Sequence, residues 1–379
     1  MKKAKLILED GSTYEGMSFG YERNVSGELV FSTGMSGYPE SLTDPSYAGQ
    51  LIMMTYPLIG NYGVPPLSLE KNGLSHFMES QKIHAEALIV SDYSENYSHW
   101  NGTESLSSWL QREKKPGISG IDTRTLTKKL REHGVMMCKL LISDTTEETE
   151  SENYNEVNFI ARVSCSSISI YHGDAVIEMS GTTVASGVNS HLPSNGRKKV
   201  LLVDCGVKEN IIRCLLRRGV DVIRVPWNYD FSDIQYDGLF LANGPGDPDT
   251  AIETIHHIQK AMNQHPSRPI FGICMGNQLL AKAGGAKTYK LKYGHRSHNQ
   301  PVQEVGTNRC FITSQNHGYA VDSSTLGKDW VPYFINMNDN SNEGIRHKYR
   351  PWFSVQFHPE ACSGPTDTEY LFDDFVKIL

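Results

Sequence analysis

The sequence predicts an α/β protein made of two domains and a linker. Residues 1–150 form an N-terminal, mixed and β-rich α/β domain, 151–197 form the linker, and 198–379 form a C-terminal domain with a parallel sheet. Short β runs bounded by turn residues dominate the first domain, and strand and helix patterns alternate in the last one. Between them, residues 144–156 are polar and acidic and cannot bury a core. A chain of 379 residues is long enough for two cores.

The N-terminal domain is predicted from short runs rich in β-formers. One helix is clear, because Asp122 can cap a helical pattern over 123–132 and Gly134 can end it. We predict strands at residues 5–8, 27–31, 50–56 and 86–90.

The C-terminal domain begins with a continuous apolar strand at 200–204 and a helical pattern at 210–216. Further strands are predicted at 220–225, 239–243 and 269–273, with a helix at 250–262. This alternation is typical of a parallel sheet, whose ligands bind at the carboxyl ends of the strands. Asn243 and Cys274 both stand at such ends, so we expect them to share one crevice.

Composition and charge limit the kinds of molecule that the protein is expected to bind and the cellular compartment in which it is expected. The net charge is −7 and the pI is about 6.1, with 39% apolar and 21% charged residues, which favours a soluble globular protein. A mildly acidic chain with only short basic clusters argues against nucleic-acid and membrane partners. Its seven cysteines include no CxxC pair, so we expect no disulfide framework, no metal site and a cytoplasmic location. The N-terminal apolar run is too short for a signal peptide or membrane span, and P-loop and dinucleotide-binding motifs are absent.

The strongest motif is Gly272-Ile273-Cys274-Met275-Gly276, which lies between a predicted strand and a predicted helix. This order of strand, tight turn and helix is that of a nucleophile elbow, with cysteine as the nucleophile. The small flanking residues allow the turn to close, and the helix N-terminus favours the thiolate form of Cys274.

A second motif supplies the partners that such a nucleophile needs. An apolar strand over 353–357 delivers His358, and Glu360 follows two residues later. Nucleophile, base and orienting carboxylate together make a Cys-His-Glu triad. The N–H of Met275 and those of the Gly/Pro loop at 243–248 are candidates for an oxyanion hole. A single buried cysteine or histidine would favour a structural role, so the combination carries the catalytic interpretation.

These motifs resemble a known family. Residues 199–379 resemble the class I, triad-type glutamine amidotransferases in the cysteine elbow, in the loop Asn-Gly-Pro-Gly-Asp-Pro at 243–248 and in His-Pro-Glu at 358–360. The first domain is similar to the small subunits of carbamoyl-phosphate synthetases in four motifs, and Ser-Gln-Asn-His-Gly at 314–318 adds to that likeness. The four motifs lie at 33–40, 42–47, 60–63 and 120–124.

The resemblance implies roles for individual residues. Cys274 would be the nucleophile, His358 the base and Glu360 the residue that orients it. Asn277 and Met275 depart from the commonest residues of the family, and neither is a triad position. The residues that the resemblance places against L-glutamine are Ser46, Gly244, Gly246, Met275, Gln278, Asn316, Gly318 and Tyr319. For His317 we favour a structural hydrogen bond.

The resemblance also implies an activity. The chain would hydrolyse L-glutamine through a glutamyl thioester and channel the ammonia to an ATP-dependent large subunit, as a heterodimer or a higher assembly. It would carry no cofactor or metal of its own, and ATP and Mg²⁺ would bind to the large subunit. Three alternatives stay open: another amidotransferase of nucleotide or amino-acid synthesis, a non-catalytic glutamine sensor, and a stand-alone cysteine hydrolase of γ-glutamyl compounds. The sequence leaves both pyrimidine and arginine synthesis open as the destination of the product.

Overall fold

The computed structural model describes residues 2–143 and 153–379, which form two compact units. The first unit consists of Met1–Ser68 and Ser75–Val157, and the second of Leu69–Leu74 and Asn158–Leu379. Of the acidic run predicted at 144–156, residues 144–152 lie outside the described residues. Among the described helices, none has the length and apolar character needed to cross a membrane.

The first unit is built around a closed barrel with the strand order β1-β2-β6-β5-β4-β3-β7. β3, β4, β5 and β6 are parallel to one another, whereas β6 pairs antiparallel with β2 and β7 closes the barrel by pairing antiparallel with β1 and β3. The elements are β1 (Lys3–Leu8), β2 (Thr13–Ser18), β3 (Val25–Ser32), α1 (Tyr38–Thr43), a 3₁₀ turn (Pro45–Tyr47), β4 (Gln50–Met54), β5 (Ala87–Ile89), α2 (Leu106–Arg112), β6 (Gly117–Ser119), α3 (Thr123–His133) and β7 (Met136–Ile142).

The strand register of the barrel explains one of its cores. Val30 pairs with Ile52, and Ile52 pairs with Leu88, so three apolar side chains lie side by side on one face. They pack with Trp109 and Leu110 of α2 in a single buried cluster. All four strands predicted for this domain are present. The predicted helix is confirmed as α3, whose first turn is capped by the Asp122 carboxylate.

The second unit contains an 11-stranded sheet in the order β15-β14-β16-β17-β18-β13-β12-β10-β11-β8-β9. The five strands β18, β13, β12, β10 and β11 are parallel, as the alternating pattern predicts, and antiparallel strands extend the sheet on both sides. The elements are α4 (Phe159–Val163), β8 (Ser167–His172), β9 (Ala175–Ser180), α5 (Ala185–Ser190), β10 (Lys199–Asp204), α6 (Glu209–Arg217), β11 (Asp221–Pro226), β12 (Gly238–Leu241), a 3₁₀ turn (Pro248–Thr250), α7 (Ile252–Gln264), β13 (Ile270–Ile273), α8 (Met275–Ala283), β14 (Thr288–Glu304), β15 (Cys310–Val321), a 3₁₀ turn (Ser323–Thr325), β16 (Trp330–Asn336), β17 (Asn342–His347), β18 (Trp352–Val355) and α9 (Tyr370–Lys377).

The region predicted as a linker, 151–197, differs from the prediction. Its described part contains α4, β8, β9 and α5, and β8 pairs antiparallel with β11 of the sheet. Ile168 and Ile170 on β8 are fully buried in the core of the second unit. Only these short apolar alternations, set among polar residues, distinguish the region from a linker in the sequence, which is why the pattern alone missed it.

Candidate active site

Cys274 lies at a sharp turn between β13 and α8, where it has φ 54° and ψ −102°. A positive φ is uncommon for a residue other than glycine and carries backbone strain. Its glycine neighbours make the turn possible: a Cβ on Gly272 would lie 2.6 Å from the carbonyl oxygen of Gly276, and a Cβ on Gly276 would collide with the carbonyl of Leu241. The N–H of Cys274 donates to the carbonyl of Val355 on β18 at 2.8 Å. This hydrogen bond connects the elbow to the strand beside β13 in the sheet.

The Cys274 thiol is buried and faces β15. Sγ lies 3.6 Å from the carbonyl oxygen of Asn316. On the same strand, the carbonyl of Ser314 accepts a hydrogen bond from the N–H of His358 at 2.9 Å. Strand β15 therefore contacts both the predicted nucleophile and the predicted base. Met275 is the first residue of α8, so its N–H has no acceptor inside the helix and is available to a ligand.

His358 and Glu360 form a buried pair at the carboxyl end of β18. Nδ1 of His358 donates to Oε1 of Glu360 at 2.7 Å, which fixes the ring and leaves Nε2 for the Cys274 thiol. Burial by itself lowers the pKa of His358, but the charge of Glu360 and the interaction with Cys274 outweigh it and hold that pKa above its usual 6.5. This shift favours the imidazolium form of His358 beside the carboxylate of Glu360.

Lys208 is a member of this site that the sequence analysis missed. Its Nζ lies 3.2 Å from Oε1 of Glu360, and its N–H donates to Oδ1 of Asn243 at 3.0 Å. Burial raises the pKa of Glu360, but the positive charges of Lys208 and His358 outweigh it and hold that pKa below its usual 4.5. The side-chain amide of Asn210 donates to the carbonyl of Glu360. The sequence feature that could have identified Lys208 is its position, because it follows β10 at the same edge of the sheet as Asn243 and Cys274.

The residues predicted to contact glutamine fall into three segments of the second unit and one of the first. Gln278 on α8 donates through Nε2 to the carbonyl of Tyr319 on β15 at 3.0 Å, and the Tyr319 hydroxyl donates to Oδ2 of Asp247 at 3.1 Å. Met275 is on the same helix as Gln278, and Asn316 and Gly318 are on the same strand as Tyr319. Ser46 belongs to the first unit, where its N–H donates to the Asp44 side chain in a 3₁₀ turn.

Gly244 and Gly246 lie in the loop after β12, and the structure explains why each is a glycine. A Cβ on Gly244 would collide with the carbonyl of Cys205, and Gly246 has φ +84°. The loop is held from the other side by Asn243, whose side chain accepts from Lys208. The backbone of the loop is thus fixed at the sheet edge where Cys274 begins its helix.

Two polar residues close to the predicted site have structural partners. Asn277 is fully buried, donates to Oε1 of Gln356 at 3.0 Å and accepts from the Ser354 hydroxyl at 2.8 Å, so it joins α8 to β18. His317 donates through Nδ1 to the carbonyl of Tyr319 at 2.8 Å, which confirms the structural hydrogen bond predicted for it.

Comparison with known proteins agrees with this geometry. Residues 201–378 match the family model of class-I glutamine amidotransferases, and residues 6–140 match that of the carbamoyl-phosphate synthase small chain, CPSase domain. The chain is 46% identical over 377 residues to the carbamoyl phosphate synthase arginine-specific small chain of Neosartorya fischeri, covering 99% of this chain and 79% of that one.

Longer relatives also match over nearly the whole chain. Identity is 50% over 384 residues with the multifunctional protein pyr1-3 of Dictyostelium discoideum, covering 99% of this chain and 17% of that protein. It is 48% over 375 residues with the multifunctional protein CAD of Squalus acanthias, covering 99% and 16%. The chain thus spans about a sixth of the length of these two relatives. By its match to the small chain, over most of the length of both proteins, this chain belongs to the carbamoyl-phosphate synthase small chain family.

Proposed function

We propose that this chain hydrolyses L-glutamine and supplies the ammonia for carbamoyl-phosphate synthesis. The observation that carries the proposal is the buried His358–Glu360 pair. Nδ1 of His358 is held by Glu360, and its Nε2 is directed at Cys274, which lies at a strained elbow. A hydrolase needs a nucleophile, a group that moves protons and a group that orients it, and these three residues supply those functions.

The reaction follows from the charges of the site. The Cys274 thiolate attacks the side-chain amide carbon of glutamine, and the N–H of Met275 with the backbone of the Gly244 loop stabilises the oxyanion. The His358 imidazolium then gives its Nε2 proton to the departing nitrogen, and ammonia leaves a γ-glutamyl thioester on Cys274. The neutral imidazole next takes a proton from water, whose oxygen attacks the thioester and releases glutamate with the thiolate restored.

The remaining residues would hold the substrate. Gln278, Asn316 and Tyr319 offer amide, carbonyl and hydroxyl groups of the kind that bind the charged ends of an amino acid, and Gly318 leaves room beside them. The contact of Ser46 with glutamine, which the resemblance implies, stays a prediction. Lys208 would act through Glu360, by keeping that carboxylate ionised so that it supports the imidazolium.

We further propose that the ammonia passes to an ATP-dependent synthetase, which binds ATP and Mg²⁺. Ammonia in water is mostly ammonium, which is not a nucleophile, so a direct transfer would protect the product. The small-chain relative favours a separate large subunit, in a heterodimer or a higher assembly, whereas the multifunctional relatives would carry such domains on the same chain. All seven cysteines are free thiols, which fits a reducing, cytoplasmic environment.

The test is Cys274→Ser in the full chain assembled with its synthetase. Serine ionises far less than cysteine, so we expect glutamine-dependent carbamoyl-phosphate formation to fall to background, while synthesis from added ammonium salt is retained. Cys310→Ser is the matched control, because Cys310 is an exposed thiol. It should leave both activities unchanged.

The assay also separates the alternatives. Glutamate release by the isolated chain, abolished in Cys274→Ser, would exclude a non-catalytic glutamine sensor. Full activity of Cys274→Ser with glutamine would contradict the proposal. If the chain releases glutamate but never supports a synthetase, a stand-alone hydrolase replaces the channelling part of it.

A further inference from the structure

A second polar cluster lies in the sheet of the second unit, outside the triad. Four buried side chains meet there: His295 on β14, Gln315 and His317 on β15, and Glu343 on β17. Oε1 of Gln315 lies 3.0 Å from Nδ1 of His295 and 3.1 Å from Nε2 of His317. Oε1 of Glu343 lies 3.4 Å and 3.9 Å from the same two nitrogens. Two nitrogens and two oxygens from three strands thus converge on one small volume.

The hydrogen-bond partners outside the cluster fix the proton on His317. Its Nδ1 lies 2.8 Å from the carbonyl oxygen of Tyr319, which can only accept, so Nδ1 carries the N–H. In the neutral ring, Nε2 then has a lone pair, and it is directed at the two oxygens of the cluster. An imidazole oriented by a backbone carbonyl in this way is typical of metal-binding histidines.

The side-chain amide of Gln315 cannot be flipped to place its NH₂ group, instead of its oxygen, against the lone pair of His317. The hydroxyl of Thr313 uses its one proton to donate to the carbonyl of Gln300 at 2.9 Å, so it can only accept from Gln315, at 3.2 Å. The amide nitrogen of Gln315 must therefore face Thr313, and its oxygen must face the two histidines.

His295 and Glu343 are oriented in the same manner. Nε2 of His295 lies 2.8 Å from the carboxylate of Asp339, which leaves Nδ1 toward the cluster. Oε1 of Glu343 accepts from the Asn336 amide at 3.0 Å, and the Asn336 oxygen is itself taken by the N–H of Asn338. Oε2 of Glu343 is buried and has no hydrogen-bond partner among the described residues. A carboxylate buried with an unsatisfied oxygen costs free energy, which a positive charge offsets, either a protonated His295 or a bound cation.

We propose that His295, His317 and Glu343, with the amide oxygen of Gln315, form a binding site for one divalent transition-metal ion, of which Zn²⁺ fits best. In the part of the chain that the structure describes, the ligand atoms of the first three all lie within 4.8 Å of one another. Tetrahedral Zn²⁺ with bonds of about 2.0–2.1 Å needs ligand atoms about 3.4 Å apart. Imidazole nitrogens and carboxylate oxygens are among the donors that bind Zn²⁺ in proteins, and the oriented nitrogens match the outer hydrogen bonds of such sites.

The site would fasten the strands that carry the predicted glutamine contacts. His317 follows Asn316 in the chain, and the Tyr319 carbonyl that accepts from His317 also accepts from Gln278. A metal joining β14, β15 and β17 would fix this part of β15. The metal would thus be structural, placed one residue away from the wall of the glutamine site.

The experiment uses the full chain, stripped with a chelator, loaded with Zn²⁺ and dialysed. We expect one zinc per chain and a rise in melting temperature, because an ion that binds only the folded state stabilises it. Loading with Co²⁺ instead should give a tetrahedral nitrogen/oxygen spectrum. A sulfur-to-cobalt charge-transfer band would assign the metal to cysteine thiols and overturn the proposal.

Two variants and a control locate the ion. Glu343→Gln keeps the shape and the acceptor for Asn336 but removes the charge, and should abolish stoichiometric zinc. Asp339→Asn, at a half-exposed position, leaves the core intact and should weaken zinc binding by about 10–100-fold. Glu304→Gln, an equivalent change on β14 outside the cluster, should bind zinc like the unaltered chain.

Two results would overturn the proposed metal site. If the unaltered chain retains no stoichiometric zinc, or if Asp339→Asn binds it as tightly as the unaltered chain does, the cluster is a hydrogen-bond network and the proposal is wrong. Asp339→Asn gives this answer even if Glu343→Gln fails to fold.

Discussion

The charge of Lys208 reaches the predicted nucleophile through two side chains. Lys208 contacts Glu360, Glu360 orients His358, and His358 turns its second nitrogen to Cys274. Each of these ionisable groups would be costly to bury alone, and each is compensated by its neighbour. Substitution of one of these charged residues should therefore shift the pKa of the residue that it contacts.

This coupling predicts a pH-dependent contribution of Glu360 to stability. The pKa of Glu360 is lowered in the folded chain, so its stabilisation is present above 4.5 and is lost as the pH falls from there through the lowered value. The pKa of His358 is raised, so its stabilisation is complete below 6.5 and is lost as the pH rises from there through the raised value. We expect the difference in melting temperature between the unaltered chain and Glu360→Gln to be largest between pH 4.5 and 6.5.

Thermal melts across the pH range check this. Glu253→Gln is the control, since Glu253 is an exposed residue of α7 and its effect should change little with pH. A stability difference for Glu360→Gln that is constant from pH 4.5 to 9 would contradict the ion pair.

At the scale of a structural element, the strand–elbow–helix of β13 and α8 has a steric requirement that competes with helix propensity. Alanine is a better helix former than glycine by about 1 kcal/mol, so propensity alone would make Gly276→Ala stabilising. The new Cβ would, however, collide with the backbone of Leu241, which cannot rotate away. Overpacking of this kind costs about 1–3 kcal/mol, so the steric effect should win.

We therefore expect Gly276→Ala to lower the free energy of unfolding and to reduce glutaminase activity, because the shift would displace the N–H of Met275. Chemical denaturation and a glutamate-release assay measure the two effects. Gly327→Ala is the matched control, because its Cβ would meet only ordinary van der Waals contacts, the nearest at 3.7 Å. Equal stability of the two variants would contradict the close approach.

Elements with regular apolar patterns were predictable, and those held together by polar contacts were not. The parallel strands β10, β12 and β13 are largely continuous apolar runs, and the elbow is marked by its glycines. In contrast, β14 carries His295, Arg296 and Ser297 at buried positions. Their burial depends on side-chain hydrogen bonds, of His295 to Gln315 on β15 and of Arg296 to the carbonyl of Tyr293, which no apolar pattern encodes. Lys208 was missed for the same reason, since its partner Glu360 is 152 residues away.

At the scale of the whole molecule, the structure moves the start of the second unit. The linker prediction implied that a chain beginning near Gly196 would fold alone. The second unit, however, also includes α4, β8, β9 and α5, and β8 covers the edge of β11. Ile160, Ile168 and Val188 from this stretch are fully buried in its core.

We expect a chain of residues 158–379 to be soluble and to melt cooperatively, and a chain of residues 196–379 to be much less stable or to aggregate. Losing the burial of one large apolar side chain costs about 1.5–3 kcal/mol, so losing several exceeds the net stability of most domains. The short chain would also expose the edge of β11, which favours aggregation. Calorimetry and size-exclusion chromatography of both chains test this. Equal stability would restore the linker interpretation.

The position of β13 beside β18 in the sheet also has a consequence for biosynthesis. The two strands are neighbours in space, but residues 274–351 separate them along the chain. The ribosome therefore makes Cys274 well before His358, and loop closure over this distance must precede their pairing. Until β18 docks, the newly made thiol has no imidazole beside it and behaves as an ordinary cysteine. The reactive pair is thus assembled by one of the last long-range pairings of the sheet, which keeps an activated sulfur out of the unfinished chain.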